Sequence, residues 1–109
     1  MEFEILLNKD KWSCFTLQLI LLLNMDIDIK FSRSAFKHGI SEADIRWAID
    51  TAKYDGILED DEDSENKRLL IGFDRNANPI EIFYNVLDHD TVRIFHAMKC
   101  RNIFKHLLK

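Results

Sequence analysis

Polar and apolar residues alternate from Asp26 to Phe31, with Ile27, Ile29 and Phe31 set against Asp26, Asp28 and Lys30. A period of two predicts a strand with one buried face. Ser32 to His38 then reads as a short helix that stops at Gly39, a residue suited to the left-handed position after a helix. Beyond Ser41 the period lengthens, and Ile45, Ala48, Ile49 and Ala52 recur at i, i+3, i+4 and i+7. Ser41 is placed to cap this helix, Asp44 completes a variant of the capping box, and Ile40 and Ile45 occupy hydrophobic-staple positions. Together these signals predict a helix from Glu42 to about Lys53.

The rest of the chain is dominated by short strands. Ile57–Glu59 is a possible short strand before an acidic run, and Lys67–Phe73 is a second. Asp74–Pro79 reads as a turn, with Pro79 biasing Asn78 towards extended backbone. Ile80–Leu87 and Thr91–Ala97 read as strands joined by a tight turn at Asp88–Asp90, and a helix is expected from about Met98 to the end. Its apolar face would carry Cys100, Ile103, Phe104, Leu107 and Leu108, and its charged face Arg101, Lys105 and Lys109. The expected class is α+β: a small antiparallel sheet of three to four strands plus an N-terminal strand, packed with two N-terminal helices and one C-terminal helix.

Before this pattern lies a nearly continuous apolar run, Trp12–Leu23, of about 12 residues, against the roughly 20 that a membrane-spanning helix needs. Glu2, Glu4 and Asp10 spoil the basic front of a signal peptide, and no small-residue cleavage site follows. Met25 is a plausible natural start. Residues 1–24 are therefore expected to be an extension or an added amphipathic helix, and residues 25–109 the domain. At 109 residues and 47% hydrophobic content the chain suffices for one domain with its own core. Cys14 and Cys100 are too few for a disulfide framework, which points to a reducing, cytoplasmic setting. His38, His89, His96 and His106 are scattered without a CxxC companion, so no structural metal is expected.

The net charge of −4 argues against a generally basic nucleic-acid coat, yet the charges are segregated. Residues 55–65 hold seven acids and no base; residues 91–109 hold five bases and no acid. The basic stretch could make a local surface for an anionic ligand, or both could be solvated faces. The acidic run would repel phosphate and is expected away from any RNA site, or else to dock a basic partner.

Short motifs add a family resemblance. Lys37-His38-Gly39-Ile40-Ser41 looks like the KHGxS element of BrnT-like toxins, which closes the first helix and caps the second. Arg68 followed by Leu69-Leu70-Ile71-Gly72 resembles their arginine-bearing strand with its terminal glycine, and Arg93-Ile94-Phe95-His96-Ala97-Met98-Lys99-Cys100-Arg101 resembles the RIISARK-like string of their last strand. The similarity spans about Asp26 to Leu108. It departs from the family at His96, where many members carry serine, and in a shorter final helix.

The resemblance implies a compact bacterial ribonuclease toxin of the RelE superfamily, paired with an antitoxin protein that silences it. Such a toxin cuts RNA without metal or cofactor by activating the ribose 2′-hydroxyl against its own phosphate, and no small-molecule ligand is expected. Histidine serves either proton role near neutral pH, and arginine matches phosphate oxygens with a planar fork. The implied catalytic residues are His38, Arg68, Arg93 and His96, with Lys37, Lys99 and Arg101 contacting substrate. Each has a plainer alternative. His38 could cap helix carbonyls, His96 could be a hydrogen-bonded core histidine, and Lys99 and Arg101 could be surface charges. On a regular strand Arg93 and His96 point to opposite sides, so one would be structural unless the strand bends or ends by Phe95. Trp47 and Tyr54, seven residues apart on the expected main helix, could stack RNA bases, pack in the core or meet the antitoxin. A non-catalytic protein-binding module of the same fold is the alternative function.

Overall fold

The computed structural model describes residues 27–57 and 67–108. The N-terminal run, Met25, most of the acidic run and Lys109 lie outside the described residues. The class is α+β, built on a five-stranded sheet in the order β1-β5-β4-β3-β2. Its strands are β1 (Asp28–Phe31), β2 (Tyr54–Ile57), β3 (Lys67–Phe73), β4 (Pro79–Asp88) and β5 (Thr91–Lys99). The helices are α1 (Glu42–Asp50) and α2 (Asn102–Lys105), the latter running on as a 3-10 turn at His106–Leu108.

The expected meander is present: β2, β3, β4 and β5 pair antiparallel in sequence order. The expectation of an all-antiparallel sheet fails at β1, which lies parallel to β5 with Asp28 opposite Thr91 and Phe31 opposite Ile94, so the sheet is mixed. A parallel pair needs a long crossover, and α1 with the rest of the meander provides it. The first expected helix is only a 3-10 turn at Arg33–Phe36, closed at Gly39 with φ of +84°.

Ser41 caps α1 as its position suggests, accepting a hydrogen bond from the Asp44 N–H at 3.1 Å. Asp44 does not reach back to the cap backbone; its Oδ1 instead accepts from the backbone and Nε of Arg75, at 3.1 and 2.8 Å. The helix ends three residues earlier than expected. Thr51 explains why: its hydroxyl lies 2.8 Å from Trp47 O and accepts from Phe73 N at 3.0 Å, so it caps the helix and stitches it to β3. Lys53 N then bonds Ile71 O at 2.8 Å, and β2 begins at Tyr54 rather than Ile57. Tyr54 is thus on a strand, which removes the expected pairing of Trp47 and Tyr54 on one helix.

The C-terminal helix also starts later than Met98. Met98 and Lys99 continue the ladder opposite Glu81 and Ile80, and Cys100 N bonds Pro79 O at 2.9 Å. The chain turns helical only after Arg101, whose backbone is still extended. Of the expected apolar face, Phe104, Leu107 and Leu108 do pack on the sheet, but Ile103 is 63% exposed.

The two faces of the sheet do different work. One is the main core, where Ile45, Ala48 and Ile49 of α1 meet Leu70, Ile80, Ile82, Tyr84, Ile94 and Ala97. Helix and sheet meet so closely that a Cβ on Gly72 would fall 1.8 Å from Ala48 O. The other face carries a smaller cluster, Leu69, Ile71 and Cys100 with Phe83, Phe104, Leu107 and Leu108. Among the described residues, no helix is long and apolar enough to cross a membrane.

Candidate functional site

Polar chemistry collects on the second face, and an irregularity in β5 puts it there. Ile94 stands opposite Tyr84 and His96 opposite Phe83, so Phe95 is an extra residue in the ladder. A bulge of this kind advances the pleat by one position and re-aims the side chains beyond it. Arg93, opposite Asn85, and His96, opposite Phe83, consequently share a face that a regular strand would deny them. Asn85 and Phe83 are two residues apart on β4, about 7 Å along the strand.

The bulge lies where β1 has already ended, and the 3-10 turn takes over the edge. Ser32 N bonds Ile94 O at 2.9 Å, and the Ser34 hydroxyl donates to Phe95 O at 2.6 Å. The turn then carries exposed His38 back over β5, where its ring meets that of His96 edge-on, with centroids 5.4 Å apart. Phe83 stacks on the His96 ring, with centroids 4.5 Å apart.

Glu81 completes the cluster. It is fully buried on the central strand β4, two residues from Phe83 and on the same face. Its Oε2 lies 3.0 Å from His96 Nε2 and accepts from Arg101 Nη2 at 2.6 Å; its Oε1 accepts from the Arg101 backbone N–H at 2.8 Å and from Nε at 3.1 Å. Burial pushes the Glu81 carboxyl up, but the hydrogen bonds from Arg101 and His96 outweigh it and the net shift is downward. His96 is lowered, chiefly by burial and further by the charges of Arg101 and His38, against the opposing pull of Glu81. The hydrogen bonds to Glu81 raise Arg101. Both shifts favour a neutral imidazole beside an ionised carboxylate, and a guanidinium holds that carboxylate in place.

Cations continue past the histidines. Lys30, Arg93, Asn85 and Lys67 occupy neighbouring register positions across four strands. Ile27, Ile29 and Phe31 pack into the main core, so Lys30 faces the same side as Arg93. Arg93 Nη2 donates to Asn85 Oδ1 at 3.0 Å, and Lys30 Nζ is 3.2 Å from Asp28.

The expected site residues therefore divide. His38 and His96 meet, Arg101 joins them through Glu81, Arg93 lies further along the same face, and exposed Lys37 precedes His38. Arg68 is separated from them. It is buried on the opposite, main-core face, where Nε donates to the Tyr84 hydroxyl at 2.8 Å and Nη2 is 3.6 Å from Asp55 Oδ1. The Tyr84 hydroxyl in turn donates to Asp55 at 2.6 Å, and burial together with the Asp55 charge holds its pKa well above the ordinary value. Lys99 stands opposite Ile80, so the register turns it away from His96. Trp47 is 49% exposed on α1, on the helix that covers the main core.

Glu81 was not foreseen, whereas a bend by Phe95 stood as the open condition for Arg93 and His96 to share a face. An acid amid Ile80, Ile82 and Phe83 is a usable signal, since glutamate is rarely buried unless paired. Among the described residues, Asp88, His89 and Asp90 bring their ligand atoms within 4.8 Å of one another. They are exposed in the β4–β5 turn, where Asp88 accepts from Asp90 N and Asp90 from the Thr91 hydroxyl.

No family model and no curated protein matches the chain. Among solved structures it is similar to a 1.1 Å crystal structure of the Brucella abortus ribonuclease toxin BrnT. The two are 13% identical, with 70% of this chain and 99% of that one covered, at a TM-score of 0.49.

Proposed function

We propose that the chain is a metal-independent endoribonuclease, the toxin of a toxin–antitoxin pair, acting on RNA in the cytoplasm. The observation that carries this is the meeting of His38 and His96 on a sheet face that continues into Arg93, Lys30 and Lys67. Cleavage by an internal 2′-hydroxyl needs a base for that hydroxyl, an acid for the leaving 5′-oxygen, and cations around the phosphate. One imidazole accepts the 2′-proton as the 2′-oxygen bonds to phosphorus. The other, as imidazolium, protonates the 5′-oxygen as its bond to phosphorus breaks, leaving a 2′,3′-cyclic phosphate. Arg93, Lys37 and the outer edge of Arg101 are the phosphate contacts in this scheme. Arg68 and Lys99 have no part in it. The motifs at residues 37–41, 68–72 and 93–101, which resemble those of BrnT-like toxins, support the assignment and supply the antitoxin as partner.

The test is cleavage of single-stranded RNA by purified protein in excess EDTA, with mapping of the new ends. The expected result is cyclic-phosphate ends and a loss of about a hundredfold or more in His38→Ala and in His96→Ala. Folded wild-type protein that leaves RNA intact, or cleavage that both variants retain, overturns the proposal. The first outcome would favour the non-catalytic partner-binding module.

A further inference from the structure

Resting on that proposal, we infer that Glu81 is the positioning residue of the site, fixing His96 as the Nε2–H tautomer so that Nδ1 is the nitrogen that takes the 2′-hydroxyl proton. Glu81 faces two partners, the His96 ring and the Arg101 that leads into α2. It is a fully buried carboxylate on the central strand, with His96 Nε2 at 3.0 Å and Arg101 on both oxygens through three of its nitrogens.

The logic is one of donors and acceptors. Arg101 is donor only, and its backbone N–H and Nε both reach Oε1. A carboxylate so supplied stays ionised and accepts only. The neutral His96 ring must therefore present a proton from Nε2, which leaves the Nδ1 lone pair as its basic atom. When Nδ1 takes a proton, the imidazolium forms against the Glu81 anion, which stabilises it without accepting the proton. The charged and titratable groups facing His96 are Glu81 from β4, His38 from the turn before α1, and Arg101 beyond β5. Only the first favours the imidazolium. The downward shift of His96 agrees, since a base must be neutral before it acts. His38 is left as the acid.

Replacing Glu81 by Gln makes the inference testable without reference to RNA. The single remaining oxygen is drawn to the Arg101 donors, so the new NH2 faces His96 Nε2, which must then accept. Long-range nitrogen–proton NMR of the full chain, above the His96 titration, reads the tautomer directly. The expected result is Nε2–H in wild type and reversal to Nδ1–H in Glu81→Gln, with a lower His96 titration midpoint. RNA cleavage by Glu81→Gln should fall about tenfold or more in kcat through the wrong tautomer, with any rise in KM reporting the separate release of Arg101. Nδ1–H in the wild-type spectrum overturns the inference even if the variant does not fold, and so does an unchanged tautomer in a folded Glu81→Gln. Wild-type protein with the expected tautomer and no RNA cleavage overturns the nuclease proposal and the proton transfer, leaving only the Glu81–His96 geometry standing.

Discussion

Arg68 offers the sharpest test of how the two faces of the sheet divide their work. Its guanidinium is enclosed with Asp55, at side-chain exposures of 6% and 3%, and the Tyr84 hydroxyl links the two. Arg68→Met keeps the aliphatic stem but takes the guanidinium away from the buried Asp55 carboxylate. Removing one partner of a buried pair costs about 3–5 kcal/mol, because the remaining charge keeps its desolvation penalty. With a urea dependence of about 2 kcal/mol per molar, the unfolding midpoint should fall by roughly 1.5–2.5 M. Tyr84→Phe, which removes the bridging hydroxyl, should cost less, about 1–3 kcal/mol. Arg68→Met with Asp55→Leu should recover part of the loss, since neither charge then remains. The assay is urea unfolding followed by circular dichroism, paired with RNA cleavage well below the midpoint. An Arg68→Met protein with an unchanged midpoint and no cleavage would refute this account and return Arg68 to the catalytic machinery.

Gly72→Ala should destabilise by about 1–3 kcal/mol or more, seen as a lower thermal midpoint, because the new methyl meets Ala48 O of α1 and the helix must back away. Ser41→Ala should cost about 1 kcal/mol in urea unfolding through loss of the cap to Asp44 N, with RNA cleavage unaffected. Acid should destabilise the fold through both Glu81 and His96. Glu81 ionises more readily folded than unfolded, so its contribution is present above the ordinary carboxylate range and is lost as pH falls through its lowered value. His96 is harder to protonate when folded, so its contribution is lost as pH falls from its ordinary value of 6.5 towards its lowered one. Thermal midpoints that rise on acidification from neutral pH would contradict both signs.

Local patterns were legible where one rule governed the outcome. The Ser41 cap, the Ile45–Ala48–Ile49 stripe, the left-handed Gly39 and the bounds of β3 all follow from period and turn chemistry. The helix ends did not, because tertiary bonds set them: Thr51 stops α1 by bonding β3, and Pro79 O holds Cys100 in the ladder after β5. Parallel pairing of β1 was also invisible, since alternation reports a buried face and not a partner. For the site, the motifs held the two histidines that meet but gave no sign that Arg68 lies on the other face. Strand membership alone says which residues share a sheet, while the face depends on register. Even numbering on β3 puts Arg68 with Leu70 beneath α1, and one inserted residue on β5 moves His96 to the other side.

That inserted residue gives the site its economy of means. Without Phe95 out of phase, His96 would enter the main core or Arg93 would leave the face that holds Lys30 and Lys67, and no regular strand could present both. The bulge alone, however, would leave an imidazole free to turn among Phe83 and the cations beside it. Glu81 removes that freedom by gripping Nε2, and Arg101 removes it from Glu81. For stability alone, a hydrophobic residue on the central strand would serve as well as a buried carboxylate and with less desolvation. A carboxylate buried between an imidazole and a guanidinium instead fixes the His96 ring and the exit of β5 together, and the first of these is what the proposed acid–base role requires.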